Sequence, residues 1–317
     1  MSTTSPARGA VITGWGTALP TKVVTNDDLA KTLDTNSEWI VERTGIHERR
    51  VGGTTSRLSA EAGAQALEMA GVDPSEIDML ILSTTTPDDQ VPATASVVQH
   101  ELGLSCGAMD VNAACSGFVY GLVTAHGQIA LGANKVLLIG CDTLSRITDW
   151  TDRSTAILFA DGAGAVVLEA CDGPGQLLGW DLASMGELKH LLHAEIGGNL
   201  QMEGREVFRQ AVVGMCSSAY AALAQAGVGP DEVALVVPHQ ANIRIIDAAM
   251  KRLGVPRDRA AEVIHRTGNT SSASIPLALA DALDNNRVQD GDLVLLVGFG
   301  AGMTSASALI RWGAGGA

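Results

Sequence analysis

The sequence is short of aromatic residues and cysteines, and it has no long apolar run. Aromatic residues make up 3% of the 317 residues, whereas glycine occurs 36 times, which favours closely packed layers of helices and sheets. The five cysteines are odd in number and no two have the spacing CxxC, which argues against a disulfide framework and a thiolate zinc site. No apolar run approaches the roughly 20 residues of a membrane span, and the first residues lack the pattern of a secretory signal. We therefore expect a soluble, cytoplasmic protein that does not associate with membranes.

Positive charge is also scarce. The chain has 21 Lys and Arg against 35 Asp and Glu, a formal net charge of −14, which argues against nucleic-acid binding because neutralising phosphates requires clustered basic residues. One predicted helix and its exit are a local exception, with the basic residues Arg244, Lys251, Arg252, Arg257 and Arg259. Such a patch on an acidic protein favours a small acidic partner, and a solvated helix face is the plainer alternative.

Strand-like and helix-like segments alternate along the whole chain. The predicted strands are 79–83, 136–140, 163–169, 234–238 and 293–297, and the predicted helices are 58–70, 118–131, 207–226, 243–253 and 275–283. Continuous Val, Ile and Leu runs between helices predict sheets that are buried on both faces. The sequence therefore predicts an α/β fold.

Two parts of the chain resemble each other. The segment ALEMAGVDPSEIDMLI (66–81) is similar to ALAQAGVGPDEVALVV (222–237), and a second pair of strand segments matches at nearly the same offset. We infer a duplicated α/β half, with the first half at 1–170 and the second at 171–317. Because ligands gather at strand ends and helix starts in such architectures, equivalent loops of both halves are expected to face one shared site.

One cysteine stands at a predicted strand-to-helix turn. Cys115 lies in AACSGF, after a strand-like segment and before a helix. A thiol there lies beside unpaired backbone N–H groups and the positive end of the helix dipole, and both favour the nucleophilic thiolate. We expect Cys115 to be an activated nucleophile, with a buried structural cysteine as the alternative.

A histidine and an asparagine are the predicted partners of this cysteine. His239 follows a buried strand and a proline, where a catalytic imidazole is expected, and Asn269 lies in a polar turn before another helix. Each alone fits a plainer role, as a loop histidine or a capping asparagine, but the internal repeat predicts that both meet Cys115. A sulfur nucleophile suits thioester exchange, and two neutral N–H donors suit the enolate left by decarboxylation of a malonyl group. The Gly-rich turn 298–304 could supply a further N–H.

The motifs in their order resemble the β-ketoacyl-acyl-carrier-protein synthase III family, the initiating condensing enzymes of bacterial type II fatty-acid synthesis in the thiolase-like superfamily. They are NSEWIVERTGIHERR (36–50), AACSGF (113–118), DRSTAILFADGAGAVVL (152–168), PHQANIR (238–244), GNTSSASIPLAL (268–279) and GFGAGMT (298–304). The resemblance runs almost end to end and implies a thiolase-like five-layered αβαβα sandwich built from two duplicated halves.

The resemblance also implies an activity. The chain would be an acyltransferase that condenses an acyl-CoA primer, acetyl or short or branched, with malonyl-acyl-carrier-protein, giving 3-oxoacyl-carrier-protein, CoA and CO2. A related acyltransferase of secondary metabolism with the same three residues is the alternative. A non-catalytic partner subunit would be expected to lack the nucleophile, which this chain keeps.

The resemblance assigns site residues as well. It places the catalytic groups on Cys115, His239 and Asn269, and the oxyanion N–H groups on Cys115 and Ala301. The coenzyme A and pantetheine contacts would be Trp39, Arg43, Arg153, Gly204, Phe208 and Asn242. The carrier-protein docking residues would be Gln240, Ala241, Asn242, Ile243, Arg244, Lys251 and Arg252. Family members are typically homodimers without a metal or redox cofactor.

Two departures from the family concern the acyl group. The segment 173–201 is shorter than in well-known members, which affects the shape of the substrate entrance. Val91 would reach across the dimer to the partner's acyl pocket, where members often have an aromatic residue, so its small side chain predicts tolerance of branched or longer primers.

His190 and His193 in KHLLH lack a convincing third ligand and do not indicate a metal site.

Overall fold

A computed structural model describes residues 8–313 of the chain, with thirteen β-strands and ten α-helices. The strands are β1 (Arg8–Ala18), β2 (Val23–Thr25), β3 (Glu48–Arg50), β4 (Met79–Ser83), β5 (Gly107–Val111), β6 (Lys135–Thr143), β7 (Asp161–Asp172), β8 (Leu177–Ala183), β9 (Leu192–His193), β10 (Gln201–Met202), β11 (Leu235–Pro238), β12 (Leu293–Gly300) and β13 (Thr304–Arg311). The helices are α1 (Asn26–Ala30), α2 (Ser37–Thr44), α3 (Thr55–Ala70), α4 (Thr94–Glu101), α5 (Gly117–Ala130), α6 (Arg153–Ala156), α7 (Gly204–Ala226), α8 (Ile243–Leu253), α9 (Ile264–Thr267) and α10 (Ser274–Asp284). Within residues 8–313, no helix has the length and apolar character to cross a membrane.

Two mixed sheets form the framework. The first has the order β1-β7-β6-β4-β5, in which β4 pairs in parallel with β5 and β6, and β7 is antiparallel to β6 and β1. The second has the order β11-β12-β13-β8, with a parallel β11–β12 pair followed by two antiparallel pairs. The second sheet therefore repeats the pairing pattern of β4, β6, β7 and β1. The division of the chain at residue 170 falls in the last residues of β7 and stays a prediction.

Five layers result from the way the helices cover the sheets. Helices α5 and α10 lie between the two sheets, and one apolar cluster contains residues from both helices and both sheets. Helix α3 packs on the outer face of the first sheet, and α7 and α8 pack on the outer face of the second. The continuous apolar strands β4, β6 and β12 are buried on both faces because they are covered by helices on both sides.

Small residues allow α5 to approach the strands closely. A Cβ added to Gly117, the first residue of α5, would lie 2.0 Å from the hydroxyl oxygen of Ser83 at the end of β4. A side chain at this position would push the helix away from the sheet. The closeness matters because the turn that precedes α5 carries the candidate nucleophile.

Each central helix begins after a similar strained turn. The 3-10 turn Ala114–Ser116 precedes α5 and the 3-10 turn Ser271–Ala273 precedes α10, and the two turns are in contact. Ala114 has φ 48° and Ser271 has φ 50°, which is uncommon for residues with a side chain. Backbone strain of this kind persists where the surrounding structure enforces it and is frequent at functional sites.

All ten elements predicted from the sequence are confirmed, with ends that extend at most one residue beyond the observed ones. The strand-like segment before Cys115 is β5. Strands β1, β8 and β13 were not among the predicted strands.

Candidate active site

The three predicted catalytic side chains line one cavity. Cys115, His239 and Asn269 all face a cavity of about 760 Å³, a size typical of small-molecule sites. Cys115 precedes α5, His239 follows β11 and Asn269 precedes α10. The layered packing thus gathers three residues that are distant in sequence.

The Cys115 thiol is almost fully buried, with 9% of the residue exposed. Burial raises the pKa of this thiol to about 12, opposed in part by a hydrogen bond from Ser271. Burial thus disfavours the thiolate in the resting protein, an effect opposite to the one expected from the helix start. The positive end of α5 remains in place to stabilise charge that develops on the sulfur during a reaction.

The His239 side chain is held in one tautomer by a serine. Nδ1 of His239 lies 2.6 Å from the hydroxyl oxygen of Ser274, and this oxygen also accepts the backbone N–H of Gln240 at 3.2 Å. A backbone N–H can only donate, so Nδ1 is the acceptor available to the serine proton among the described residues. Nε2 therefore carries the imidazole proton. Burial lowers the pKa of His239 to about 3, so the ring is neutral at pH 7.

The Asn269 amide is oriented by the turn that follows it. Its Oδ1 accepts the backbone N–H of Ser271 at 3.0 Å, and its own backbone bridges Leu158 and Ala160. Since Oδ1 is occupied by a donor, the Nδ2 group is the part of the amide left to face the cavity. His239 and Asn269 thus each offer an N–H, which suits stabilisation of a negatively charged oxygen.

A buried carboxylate joins the loops of the two sheets beneath the site. Asp142, at the end of β6, is fully buried. Its Oδ1 accepts hydrogen bonds from backbone and hydroxyl groups of Thr84, Thr85 and Thr86, and its Oδ2 accepts the backbone N–H and hydroxyl of Ser272. This residue carried no signal in the sequence, because a single Asp at a strand end resembles any turn residue. It fixes the loop after β4 to the turn before α10.

The turn between β12 and β13 lies against the nucleophile. A Cβ added to Gly300 would lie 2.5 Å from the backbone nitrogen of Cys115, so only glycine fits this contact. Ala301 follows in the 3-10 turn Ala301–Met303, and Gly302 in this turn has φ 71°. The backbone of Cys115 and of this turn are therefore neighbours, as the predicted oxyanion pair requires.

Two arginines flank a tryptophan at one end of the cavity. The guanidinium carbons of Arg43 and Arg153 lie 5.5 Å and 4.8 Å from the centroid of the Trp39 ring, within the range of cation–π contacts. Trp39 and Arg43 line the cavity, and so do Gly204, Phe208 and Asn242. Asn242 also donates its side-chain amide to the backbone oxygen of Arg43 at 2.9 Å.

The predicted docking segment divides into a buried and an exposed part. Gln240 is fully buried, donating Nε2 to Pro238 and Ala261 and accepting at Oε1 from Val263 and Ile264. Its assignment to the docking surface is wrong, because all of its hydrogen-bonding groups are used inside the protein.

The remaining docking residues lie nearer the surface. Ala241, Asn242 and Ile243 are half-buried, whereas Arg244, Lys251 and Arg252 on α8 are exposed. Asp247, on the same helix, pairs with Arg257 instead. The Asp247 carboxylate therefore does not neutralise the positive charge of the three exposed basic side chains on this helix.

A second cavity of about 490 Å³ lies on another side of Cys115. It shares Cys115, Phe159 and Leu192 with the first cavity and includes Ala301. Val91 lines neither cavity of its own chain and is 84% exposed. Its role in a partner's acyl pocket stays a prediction.

Comparison with known proteins identifies the family. Two family models match, described as 3-oxoacyl-[acyl-carrier-protein (ACP)] synthase III at residues 109–186 and as its C-terminal part at 223–312. The beta-ketoacyl-[acyl-carrier-protein] synthase III of Roseiflexus castenholzii is 48% identical over 98% of this chain and 100% of its own length.

Solved structures agree with this match. The crystal structure of 3-oxoacyl-[acyl-carrier-protein] synthase III from Aquifex aeolicus VF5 is 44% identical, with a TM-score of 0.94 over 96% of this chain and 100% of that one. The priming beta-ketosynthase from the R1128 polyketide biosynthetic pathway is 36% identical, with a TM-score of 0.92 over 98% of this chain and 99% of that one. The predicted thiolase-like α/β fold class is confirmed. By this similarity along nearly its whole length, the chain belongs to the 3-oxoacyl-[acyl-carrier-protein] synthase III family.

Proposed function

We propose that this protein initiates fatty-acid synthesis by a decarboxylative Claisen condensation of an acyl-CoA primer with malonyl-acyl-carrier-protein. The observation that carries the proposal is the meeting of a buried thiol with two neutral N–H donors in one cavity. A hydrolase would need a basic group to activate water, but Nδ1 of His239 contacts a serine hydroxyl and its pKa is lowered to about 3. The proteins to which the chain is similar are named 3-oxoacyl- or beta-ketoacyl-[acyl-carrier-protein] synthase III, which supports the same reaction.

The first step transfers the primer to Cys115. The sulfur attacks the thioester carbonyl, the new carbon–sulfur bond forms, the bond to CoA breaks, and the thiol proton ends on the departing CoA sulfur. The backbone N–H groups of Cys115 and Ala301 bind the oxyanion. Trp39, Arg43 and Arg153 supply aromatic and cationic contacts suited to the nucleotide end of CoA.

The second step generates the carbon nucleophile. The malonyl thioester carbonyl accepts hydrogen bonds from Nε2–H of His239 and Nδ2–H of Asn269, and these bonds strengthen as CO2 leaves and negative charge moves onto the oxygen. Because both donors are neutral, neither readily protonates the enolate. The enolate carbon then attacks the acyl group on Cys115 and forms the new carbon–carbon bond. The thioester bond to the enzyme breaks, the 3-oxoacyl product is freed, and the departing Cys115 thiolate takes up a proton from solvent to restore the thiol. Side chains and backbone supply every group in this cycle, and CoA enters as part of a substrate.

The carrier protein is proposed to dock on the exposed basic residues of α8. Arg244 lines the cavity, and Lys251 and Arg252 follow in the last turn of the same helix. Positive charge beside the cavity on a protein of net charge −14 would steer an acidic partner to the correct entrance.

A homodimer is proposed from an open sheet edge. β5 is the last strand of its sheet, and its residues are only half-buried or exposed. An edge of this kind is commonly covered by another chain. Pairing at β5 would also bring a second copy near the exposed Val91. We place the enzyme in the cytoplasm, where acyl-CoA and carrier-protein substrates are available.

Intact-mass spectrometry tests the first step. After mixing with acetyl-CoA or a short branched acyl-CoA, the wild type should gain one acyl group and Cys115→Ala should gain none. Cys106→Ala is the matched control, because Cys106 is a half-buried cysteine that lines neither cavity described above; this variant should be acylated as the wild type is. Acylation that persists in Cys115→Ala would contradict the proposed nucleophile.

Asn269→Ala tests the division of roles. It should keep acylation within about threefold of the wild type and lower malonyl-thioester decarboxylation by about 100-fold, the scale of losing one oxyanion donor. Asn134→Ala serves as a control because Asn134 accepts a surface hydrogen bond from Arg8 instead. Equal loss of both partial reactions in Asn269→Ala would refute the assigned role.

A priming enzyme of polyketide synthesis is the second candidate, supported by the similarity to the R1128 enzyme. The two functions differ in the carrier protein that is accepted. Condensation assays with carrier proteins of fatty-acid and polyketide synthesis would separate them, with faster turnover on the fatty-acid carrier expected from our proposal.

A further inference from the structure

The proposed reaction cycle does not use one fully buried arginine, Arg49 in β3. Its guanidinium donates hydrogen bonds to three neutral oxygens, which belong to Val24 (3.1 Å), Asn26 (2.7 Å) and Ile157 (3.1 Å). None of the ion pairs found within residues 8–313 includes it. Burial lowers the pKa of Arg49 to about 10, so the side chain is charged at pH 7. Because a buried charge is costly without hydrogen bonds, these three oxygens fix the guanidinium in one place.

One of these hydrogen bonds holds the segment that pairs with Asn269. Ile157 follows α6 and lines the first cavity. In the residues after it, the oxygen of Leu158 accepts the backbone N–H of Asn269, and the N–H of Ala160 donates to the oxygen of Asn269, both at 2.9 Å. Asn269 is thus attached through both of its backbone groups to a segment whose first carbonyl binds Arg49.

Arg49 also lies against the residue that precedes Asn269. Gly268 has φ 69°, a backbone conformation that favours glycine, and a Cβ added to it would lie 3.1 Å from the Cβ of Arg49. Just before β3, the backbone N–H of His47 donates to the oxygen of His265 in α9 at 2.9 Å. The chain around Arg49 therefore supports the turn of Asn269 from a second side.

We propose that Arg49 is a positioning residue that holds the Asn269 amide where it meets the malonyl carbonyl. The inference rests on the proposed function, since it concerns the step in which Asn269 donates to the developing enolate. Arg49 lines neither cavity beside Cys115, so it acts through Asn269 and not on the substrate. A misplacement of about 1 Å can lower a rate by about 100-fold, which makes the anchoring of this donor important for the reaction.

The two partial reactions of Arg49→Met test this inference. Methionine fills a similar length but has no N–H to donate to the three oxygens. We expect kcat for CO2 release from a malonyl thioester to fall about tenfold, less than for a full 1 Å displacement. Acylation of Cys115 at saturating acetyl-CoA, followed by intact mass, should stay within about threefold of the wild type.

The neighbouring arginine provides the control. Arg50 is the next residue of β3, is half-buried and pairs with Glu48 at 3.3 Å. Arg50→Met removes the same kind of side chain from the same strand. It should change neither partial reaction by more than about twofold, as is usual for substitutions away from buried networks.

A double-mutant cycle tests whether Arg49 acts through Asn269. We expect Asn269→Ala to lower decarboxylation by about 100-fold, and the double variant with Arg49→Met to lose less than about twofold more. Independent effects would multiply to about 1,000-fold. A merely structural role would not give this non-additivity, because general loosening of the site would slow the reaction in either background.

Arg49→Lys repeats the test with the charge retained, and it decides the question if Arg49→Met does not fold. The lysine ammonium cannot match the planar fork with which the guanidinium binds three oxygens. We expect decarboxylation to fall about fivefold in the otherwise wild-type chain and to be unchanged in the Asn269→Ala background.

The outcomes separate this inference from the proposed function. Decarboxylation by the folded Arg49 variant within about twofold of the wild type overturns the inference. Losses that multiply with that of Asn269→Ala, or an equal loss of acylation and decarboxylation, overturn it as well. All three results leave the proposed function standing. A wild-type protein that neither accepts an acyl group nor releases CO2 overturns both.

Discussion

The hydroxyl of Ser274 should control the decarboxylation step through the tautomer of His239. In Ser274→Ala, Nδ1 of His239 loses its contact at 2.6 Å and the backbone N–H of Gln240 loses its acceptor at 3.2 Å. The proton can then move from Nε2 to Nδ1, and the imidazole no longer offers a donor to the malonyl carbonyl. A hydrogen bond to a charged group contributes about 1.5–3 kcal/mol, so decarboxylation should fall by about 10- to 100-fold.

The assay separates this effect from general damage. Release of CO2 from a malonyl thioester reports the donor function, and acyl-CoA transfer to Cys115, followed by intact mass, reports the rest of the site. We expect acylation to stay within about threefold of the wild type. Because two buried polar groups lose a partner, the free energy of unfolding should also fall by about 1–3 kcal/mol.

A matched serine substitution provides the control. Ser218 on α7 is also buried, but its hydroxyl has no hydrogen-bond partner among the described residues. Ser218→Ala removes the same atom and should leave decarboxylation unchanged. Decarboxylation by Ser274→Ala within twofold of the wild type would refute the tautomer assignment, and an equal loss of acylation would show that the hydroxyl acts on the whole site instead.

Three further predictions concern stability and the nucleophile. The pKa of His239 is 6.5 in the unfolded chain and about 3 in the folded protein, so its contribution to stability is complete above pH 6.5 and is lost as pH falls toward 3. In urea unfolding, this group should make the protein about 2 kcal/mol less stable at pH 5 than at pH 7. His239→Gln should remove that part of the pH dependence. Asp142→Asn places an NH2 group against hydrogen-bond donors and should lower the free energy of unfolding in urea by about 3 kcal/mol or more. The control Asp27→Asn, at an exposed position, should lower it by less than about 0.5 kcal/mol. Similar urea midpoints for the two variants would contradict the role of the hydrogen bonds around Asp142. Gly300→Ala should abolish acylation because its Cβ meets the backbone nitrogen of the nucleophile, whereas Gly186→Ala, with open space around it, should not; intact mass compares them.

The strands that could be predicted from the sequence are those whose apolar residues run continuously because both faces are buried. β4, β6 and β12 are continuous apolar runs, as expected for strands covered by helices on both faces. β13 is also buried along nearly its whole length, but its first residues are Thr, Ser, Ala and Ser, which also fit a loop. Pairing with β12 on one side and β8 on the other makes it a strand, and long-range pairing is not visible in a local pattern.

The site was predictable in its residue types and less so in its environment. Cys115, His239 and Asn269 follow from the internal repeat and the family motifs, and the structure places them in one cavity. The burial of Gln240 was not predictable, because a glutamine in a polar motif looks exposed until its four partners from neighbouring segments are known. The raised pKa of Cys115 depends likewise on the atoms that exclude water, which no spacing reveals.

The buried carboxylate of Asp142 links two distant stretches of the chain, since Thr84–Thr86 and Ser272 bind opposite oxygens of one side chain. Substitutions in these stretches should therefore be non-additive, with double-mutant cycles giving a coupling energy where separated surface sites give none. In a chimaera that took one half of the chain from a relative, the hydrogen-bond donors on one side of this carboxylate would come from a different protein and would not match it. Successful exchange would require the carboxylate and both groups of donors to be transplanted together.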